Sequence, residues 1–168
     1  MNNEEKNTFV KEQITEATIQ LLMKYELSHI SISQITAKAQ VSRNSFYRNY
    51  VDKEDILLKH IKNLISKWEA DYQQINNDSN AELYGSLFKH LKENSDFYHL
   101  LKKRNLFYLF LNTYIELYGS KTEYDNMTAY VTSFIAYGTY GWIEEWIGRG
   151  MQESAETMSS LLSSHGMK

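Results

Sequence analysis

Hydrophobic residues recur along this chain at the three- and four-residue intervals of helices with one buried face. Val10, Ile14, Ala17 and Leu21 fit that rule and predict a first helix over residues 7–25, preceded by a loose arm at residues 1–6. Ser31 and Gln34 have the spacing of a capping box, which starts a second helix; Ile32, Ile35 and Ala39 form its buried stripe. Residues 39–42 form a break. Ser42 is suited to cap a third helix, with Phe46 and Tyr50 on the packing face and Arg43, Asn44, Tyr47 and Arg48 covering the rest. Helix, short break and helix make a helix-turn-helix, so double-stranded DNA is the first partner to consider.

Beyond it, Asp52 is placed to cap a fourth helix whose stripe runs through Leu57, Ile61, Leu64, Trp68, Tyr72 and Ile75. Its length of roughly 35 Å would link two modules rigidly. Asn76–Asn80 is the clearest polar break, followed by a helix with Leu83, Leu87, Phe88 and Leu91 on its buried side. Residues 96–117 read as two helices separated near residues 102–105. A long helix is expected over residues 123–147, ended by Gly148-Arg149-Gly150, and a short last one carries Met151, Ala155, Met158 and Leu162. The expected fold is all-α: a three-helix head, residues 1–52, joined by the fourth helix to a helical regulatory and dimerisation domain, residues 53–168.

Composition agrees with that picture. The 168 residues include no proline and only seven glycines, so little interrupts helices. Without cysteine there is neither a disulfide framework nor a thiolate zinc site, and a cytoplasmic location is expected. No segment has the pattern of a signal peptide or the apolar length of a membrane span. The net charge of −3 argues against nucleic acid only until its distribution is considered. Residues 31–50 carry Lys38, Arg43 and Arg48 and no acid. A patch that small touches few phosphates per subunit, so a second subunit would add substantially to affinity.

Of the 23 aromatic residues, fourteen lie between Phe97 and Trp146, which makes the second module ring-rich. Large rings mostly pack in cores and interfaces, but helices lined with them also build pockets for flat or apolar small molecules. Tyr98, His99, Tyr108, Tyr114 and Trp142 are the candidates for an effector pocket. Gly138 and Gly141 each weaken the long helix by about 1 kcal/mol relative to alanine, a cost that close approach of another helix would explain. Ser133, Tyr137, Gly138 and Gly141, with Ala155, Met158 and Leu162 of the last helix, are therefore the candidates for a homodimer interface.

The residues from Ile14 to Leu57 resemble the DNA-binding domain of the TetR/AcrR family of bacterial transcriptional regulators. The likeness is carried by Ile35-Thr36-Ala37-Lys38-Ala39-Gln40-Val41-Ser42 and by Phe46-Tyr47-Arg48-Asn49-Tyr50-Val51-Asp52-Lys53-Glu54-Asp55-Ile56-Leu57. It implies that Tyr47 and Lys53 hold the DNA backbone while exposed residues of the third helix reach bases. Arg43, Asn44 and Ser45 are the candidate readers, Arg48 serves either role, and Ser33 completes the DNA-binding set. Glu26 and Gln40 depart from the family's usual glycines. A left-handed Gln40 would strain the turn by about 1 kcal/mol. Tyr137-Gly138-Thr139-Tyr140-Gly141-Trp142 with Glu144-Glu145-Trp146 is similar to the C-terminal domain of one subgroup, and the resemblance implies pairing of the last two helices across a two-fold axis.

Other functions find less support. There is no glycine-rich phosphate loop, His-Glu-x-x-His motif or nucleophile elbow, so an enzyme is not expected. Neither cofactor nor metal is expected, although His60, His90 and His99 with Glu144 or Glu145 would be the residues to converge on one. Lys102-Lys103-Arg104 reads as a solvated helix end. A ligand-responsive repressor is the expected function; an activator of the same fold, or an interaction module that does not bind DNA, are the alternatives.

Overall fold

A computed structural model of the chain describes residues 2–74 and 80–164, among which there are helices and no strand. The helices are α1 (Asn3–Leu22), α2 (Ile32–Lys38), α3 (Arg43–Asn49), α4 (Lys53–Gln73), α5 (Asn80–Glu93), α6 (Ser95–Lys103), α7 (Tyr108–Tyr118), α8 (Asn126–Gly148) and α9 (Ala155–Ser164). A 3₁₀ turn, Leu27–His29, lies between α1 and α2. The chain divides into two compact units, Met1–Lys62 and Asn63–Lys168, with the boundary inside α4. Ile75 and residues 76–79 of the break expected over 76–80 lie outside the described residues, and Asn80 already begins α5.

In the first unit, α1 begins at Asn3, so residues 3–6 are helical and not a loose arm. A capping box is the cause: Glu5 N–H donates to Asn2 Oδ1 at 2.8 Å, and Asn2 N–H donates to Glu5 Oε2 at 2.9 Å. The buried face of α1 is Ile14, Ala17, Thr18 and Leu22, while Val10 and Leu21 are only half-buried. Thr18 can lie inside because its hydroxyl donates to Ile14 O at 2.8 Å. Ile14, Leu22, Ile30, Ile35, Phe46 and Ile56 close the core, each no more than 1% exposed.

In the second unit, α9 packs along α5, and α8 packs against α6 and α7. Leu87, Phe88 and Leu91 of α5 are buried, as are Ala155, Met158 and Leu162 of α9. Those three α9 residues, candidates for the subunit interface, pack inside the single chain and are each no more than 7% exposed. Lys92 fastens the turn before α9 by donating to Met151 O at 2.9 Å and Glu153 O at 3.0 Å. Helix α9 starts at Ala155 and not near Met151, which has φ of 50° and leaves the helical path. Helix α8 starts at Asn126, where Asp125 accepts from the N–H groups of Met127 and Thr128.

Three helices end in the same way. After α2, Gln40 N–H donates to Ala37 O at 3.2 Å and Val41 N–H to Thr36 O at 3.0 Å, with Gln40 at φ 54°. Asn105 at φ 56° ends α6 and Gly150 at φ 84° ends α8 with the same pair of bonds. These are Schellman motifs, which require one left-handed residue. Only at Gly150 does the sequence supply the residue that adopts it without cost. Gln40→Gly should therefore stabilise the first unit by about 0.5–1 kcal/mol, the left-handed cost less glycine's extra unfolded entropy. Urea denaturation of the two proteins measures this; an unchanged or lower midpoint would show that the turn is not strained.

Candidate functional site

The short helix α3 is built to present one face. Ser42 caps it by accepting from Ser45 N–H at 3.0 Å, while Phe46, fully buried, anchors its inner side. The Phe46 ring meets Tyr47 edge-on at 5.3 Å and Tyr50 at 5.9 Å. Burial of Phe46 turns Arg43, Asn44, Tyr47 and Arg48 outward, where all four are exposed; Tyr47 keeps 59% of its surface free. Lys38 at the end of α2 is exposed as well, so Lys38, Arg43 and Arg48 are three exposed cations in a stretch, residues 31–50, that has no acid. Ser45 is half-buried and its hydroxyl lies 3.0 Å from that of Ser42. The Arg43 guanidinium donates to the Ser33 hydroxyl, which ties α3 to α2 and places Ser33 behind the exposed row.

The exit from α3 is clamped. Tyr50 is buried, its hydroxyl 3.3 Å from Thr15 Oγ1, and desolvation raises its pKa above the usual tyrosine value. Lys59 donates to Asn49 O at 2.7 Å, pairs with Asp55 at 2.8 Å and sits 5.2 Å from the centre of the Tyr50 ring. Asp52 caps α4 by accepting from Asp55 N–H at 2.9 Å. Lys53, expected on the DNA backbone, donates to Leu27 O and Ile30 O, both at 2.7 Å. Two of its three donors thus hold the loop before α2, a use that its exposed-looking sequence position did not reveal.

The second unit contains a cavity of about 440 Å³. Helix α4 contributes Trp68, Glu69, Tyr72 and Gln73, and α5 contributes Leu83, Tyr84 and Leu87. Tyr114 and Tyr118 of α7 face them, and Thr132, Ile135 and Ala136 of α8 close the wall. Tyr118 Oη donates to Glu69 Oε1 at 2.6 Å, and both burial and that carboxylate raise the tyrosine's pKa. Trp68 is oriented by its indole N–H, which donates to Ser86 Oγ at 2.9 Å.

Of the five residues expected around an effector, only Tyr114 lines this cavity. Tyr98 is completely buried against Phe110, their rings 5.5 Å apart, and serves as core. Tyr108 is 42% exposed, and His99 and Trp142 are half-buried elsewhere in the unit. Trp68 and Tyr72 were legible only as members of the α4 stripe; their i, i+4 spacing fits a packing seam and a pocket wall equally well. Glu144 does not converge with histidines but pairs with Lys102 at 2.6 Å, which holds its carboxyl below the usual range. Among the described residues no group of three or more His, Asp or Glu side chains could hold a metal.

Helix α8 leaves an apolar face uncovered. Met127, Tyr130, Phe134 and Tyr137 are 70, 68, 71 and 54% exposed, and Val131 and Ile135 lie beside them. Gly141 continues the row, and apart from its chain neighbours and the backbone of its own helix no atom of the described residues lies within 4 Å of where a side chain would begin. The sequence places Met127, Val131, Phe134 and Ile135 on the long helix expected over residues 123–147 but does not say that they point out.

A helix-turn-helix with this exposed face defines the class of protein as a DNA-binding regulator. Residues 78–165 match the family described as "Transcriptional regulator C-terminal region", and residues 14–59 match "Bacterial regulatory proteins, tetR family". The chain belongs to the TetR family of transcriptional regulators, a family of regulators and not of enzymes. Its fold is similar to that of the "Dihydroxyacetone kinase operon activator DhaS", with 21% identity, 92% of each chain covered and a TM-score of 0.58. It is also similar to the transcriptional regulator FadR from Bacillus subtilis in complex with stearoyl-CoA, with 17% identity, 89% of this chain and 93% of that one covered, and a TM-score of 0.52. No curated protein matches the chain. Among the described residues no helix is long and apolar enough to cross a membrane.

Proposed function

We propose that the protein is a homodimeric, ligand-responsive regulator that sets α3 of each subunit into successive major grooves of a near-palindromic operator. The observation that carries this reading is the exposed row of Arg43, Asn44, Tyr47 and Arg48 above the buried Phe46. Arg43, Asn44 and Ser45 stand at the first turn of α3 and read bases, whereas Tyr47 and Arg48 hold phosphates. Lys53 acts chiefly by keeping the head in shape and has one donor left for the backbone. Residues 1–52 are the reading head, and residues 53–168 regulate it.

Gel-shift titration on the gene's own upstream region, across a range of salt, tests this. Arg43→Ala should cost about 1–3 kcal/mol on the operator and little on random DNA. Tyr47→Phe should weaken both alike. Equal losses from both variants on both DNAs would remove this division of labour, and no sequence-selective binding at low salt would overturn the DNA-reading proposal.

The subunit contact in this proposal is the outer face of α8, through Tyr130, Phe134, Tyr137 and Gly141, with Ser133 and Gly138 alongside. A contiguous apolar face of this kind is uncommon on a monomer that has no partner. An effector in the cavity, touching Trp68 and Tyr72, would tilt α4 and change the separation of the two heads, so that operator affinity falls. A structural relative solved with a small molecule gives this ligand-responsive reading support. Repression is the proposed outcome. Because another structural relative is described as an activator, transcription of the neighbouring genes in a deletion strain decides the sign: a rise indicates repression.

A further inference from the structure

From its lining, we infer that the cavity of the second unit takes an organic cation, a molecule with one positive charge on an aromatic or apolar body. This rests on the proposal that the cavity is the effector site and adds the chemistry of its occupant. Among the described residues the wall contains one carboxylic acid, Glu69, and no lysine, arginine or histidine. An anion entering it would shed water without gaining an opposite charge, a loss that hydrogen bonds from tyrosine hydroxyls offset only in part.

The carboxylate is prepared for a charge partner. Tyr118 Oη engages Glu69 Oε1, and Glu69 Oε2 accepts no hydrogen bond among the described residues. Tyrosine is a neutral donor, so it orients the carboxylate without cancelling its charge. Around it the rings of Trp68 and Tyr72 stack with centroids 6.3 Å apart, and Tyr114 and Tyr118 lie 4.9 Å apart. The faces of such rings attract a cation, and most strongly where water is displaced. His90, beyond Trp68 with a centroid separation of 6.4 Å, supplies no competing charge at neutral pH because burial lowers its pKa. An aromatic amine or quaternary ammonium therefore meets a counter-charge at one end and stacking surface along its length.

Three naphthalene probes of similar size on the full-length protein separate the elements of this inference: the cation (naphthalen-1-ylmethyl)trimethylammonium, its uncharged carbon isostere and the anion naphthalene-1-methanesulfonate. Calorimetric titration should show the cation binding about tenfold or more tighter than the anion. Glu69→Gln should reduce cation binding by about tenfold and change binding of the uncharged isostere less than twofold. If the anion binds as tightly as the cation, or Glu69→Gln leaves the cation unaffected while the isostere binds, the charge inference is wrong and the cavity remains a ligand site. If none of the three binds, the effector-site reading falls with it. Operator binding by wild type and Glu69→Gln, measured without probes, shows in either case whether the DNA-reading proposal stands.

Discussion

Phe134→Glu is expected to turn a dimer into a monomer and to weaken operator binding by about a hundredfold or more. The side chain stands 71% exposed on α8 among Tyr130, Val131 and Tyr137, so one subunit has no structural need for it. A charge there costs the isolated chain little, within about 0.5 kcal/mol, because it remains in water. In a symmetric interface the same position meets its copy or that copy's neighbours, and two carboxylates would be desolvated without partners. Linking two reading heads makes the second engagement intramolecular, and losing that link costs about 10²–10⁴ in affinity. Analytical ultracentrifugation and gel shifts measure both halves, and unchanged circular dichroism excludes a folding defect. A variant that stays dimeric at micromolar concentration would place the interface elsewhere.

Phe46→Ala should be the most damaging single change in the first unit, at about 3–5 kcal/mol. The ring is wholly buried beside Tyr50 and carries α3 on its inner face. Alanine removes both the buried ring and its edge-on contact with Tyr47, and the short helix has only seven residues with which to hold itself. Urea denaturation followed by amide exchange should show α1–α3 opening at lower denaturant while α5 and α9 keep their protection. Phe46→Leu, which keeps most of the volume, should fall well short of that loss. If alanine costs less than about 1 kcal/mol, α3 is held by something other than this ring.

Legibility followed the range of the interactions. Ser31 with Gln34, Ser42 and Asp52 cap their helices as expected, because a cap joins residues three apart and needs no knowledge of the fold. The pair Asn2–Glu5 carries the same signal with an asparagine in place of serine and starts α1 at Asn3, where a loose arm was expected. Gln40 stood out because glycine is usual there in similar heads, whereas Asn105 makes an equivalent turn unnoticed.

The failures are of longer range. Helix α8 is apolar nearly all round, so its period did not say whether Phe134 or Ala136 faces inward; α7 supplies that answer by packing on one side. Ala155, Met158 and Leu162 were recognisable as an apolar stripe, but not as the side that meets α5. The cavity depends on α4, α5, α7 and α8 together, and only Tyr114 of its wall was anticipated.

Several lysines here are used as fasteners. Lys53 holds the carbonyls of Leu27 and Ile30, Lys59 that of Asn49, and Lys92 those of Met151 and Glu153. Each bridges a joint in a chain that has no proline to stiffen its turns. A survey that neutralised every lysine and scored the loss of operator binding would mistake such joints for phosphate contacts. Lys53 and Lys59, close in sequence to the recognition helix, would mislead most. Lys38, exposed and holding no carbonyl among the described residues, is the position at which removing a charge reports on the DNA itself.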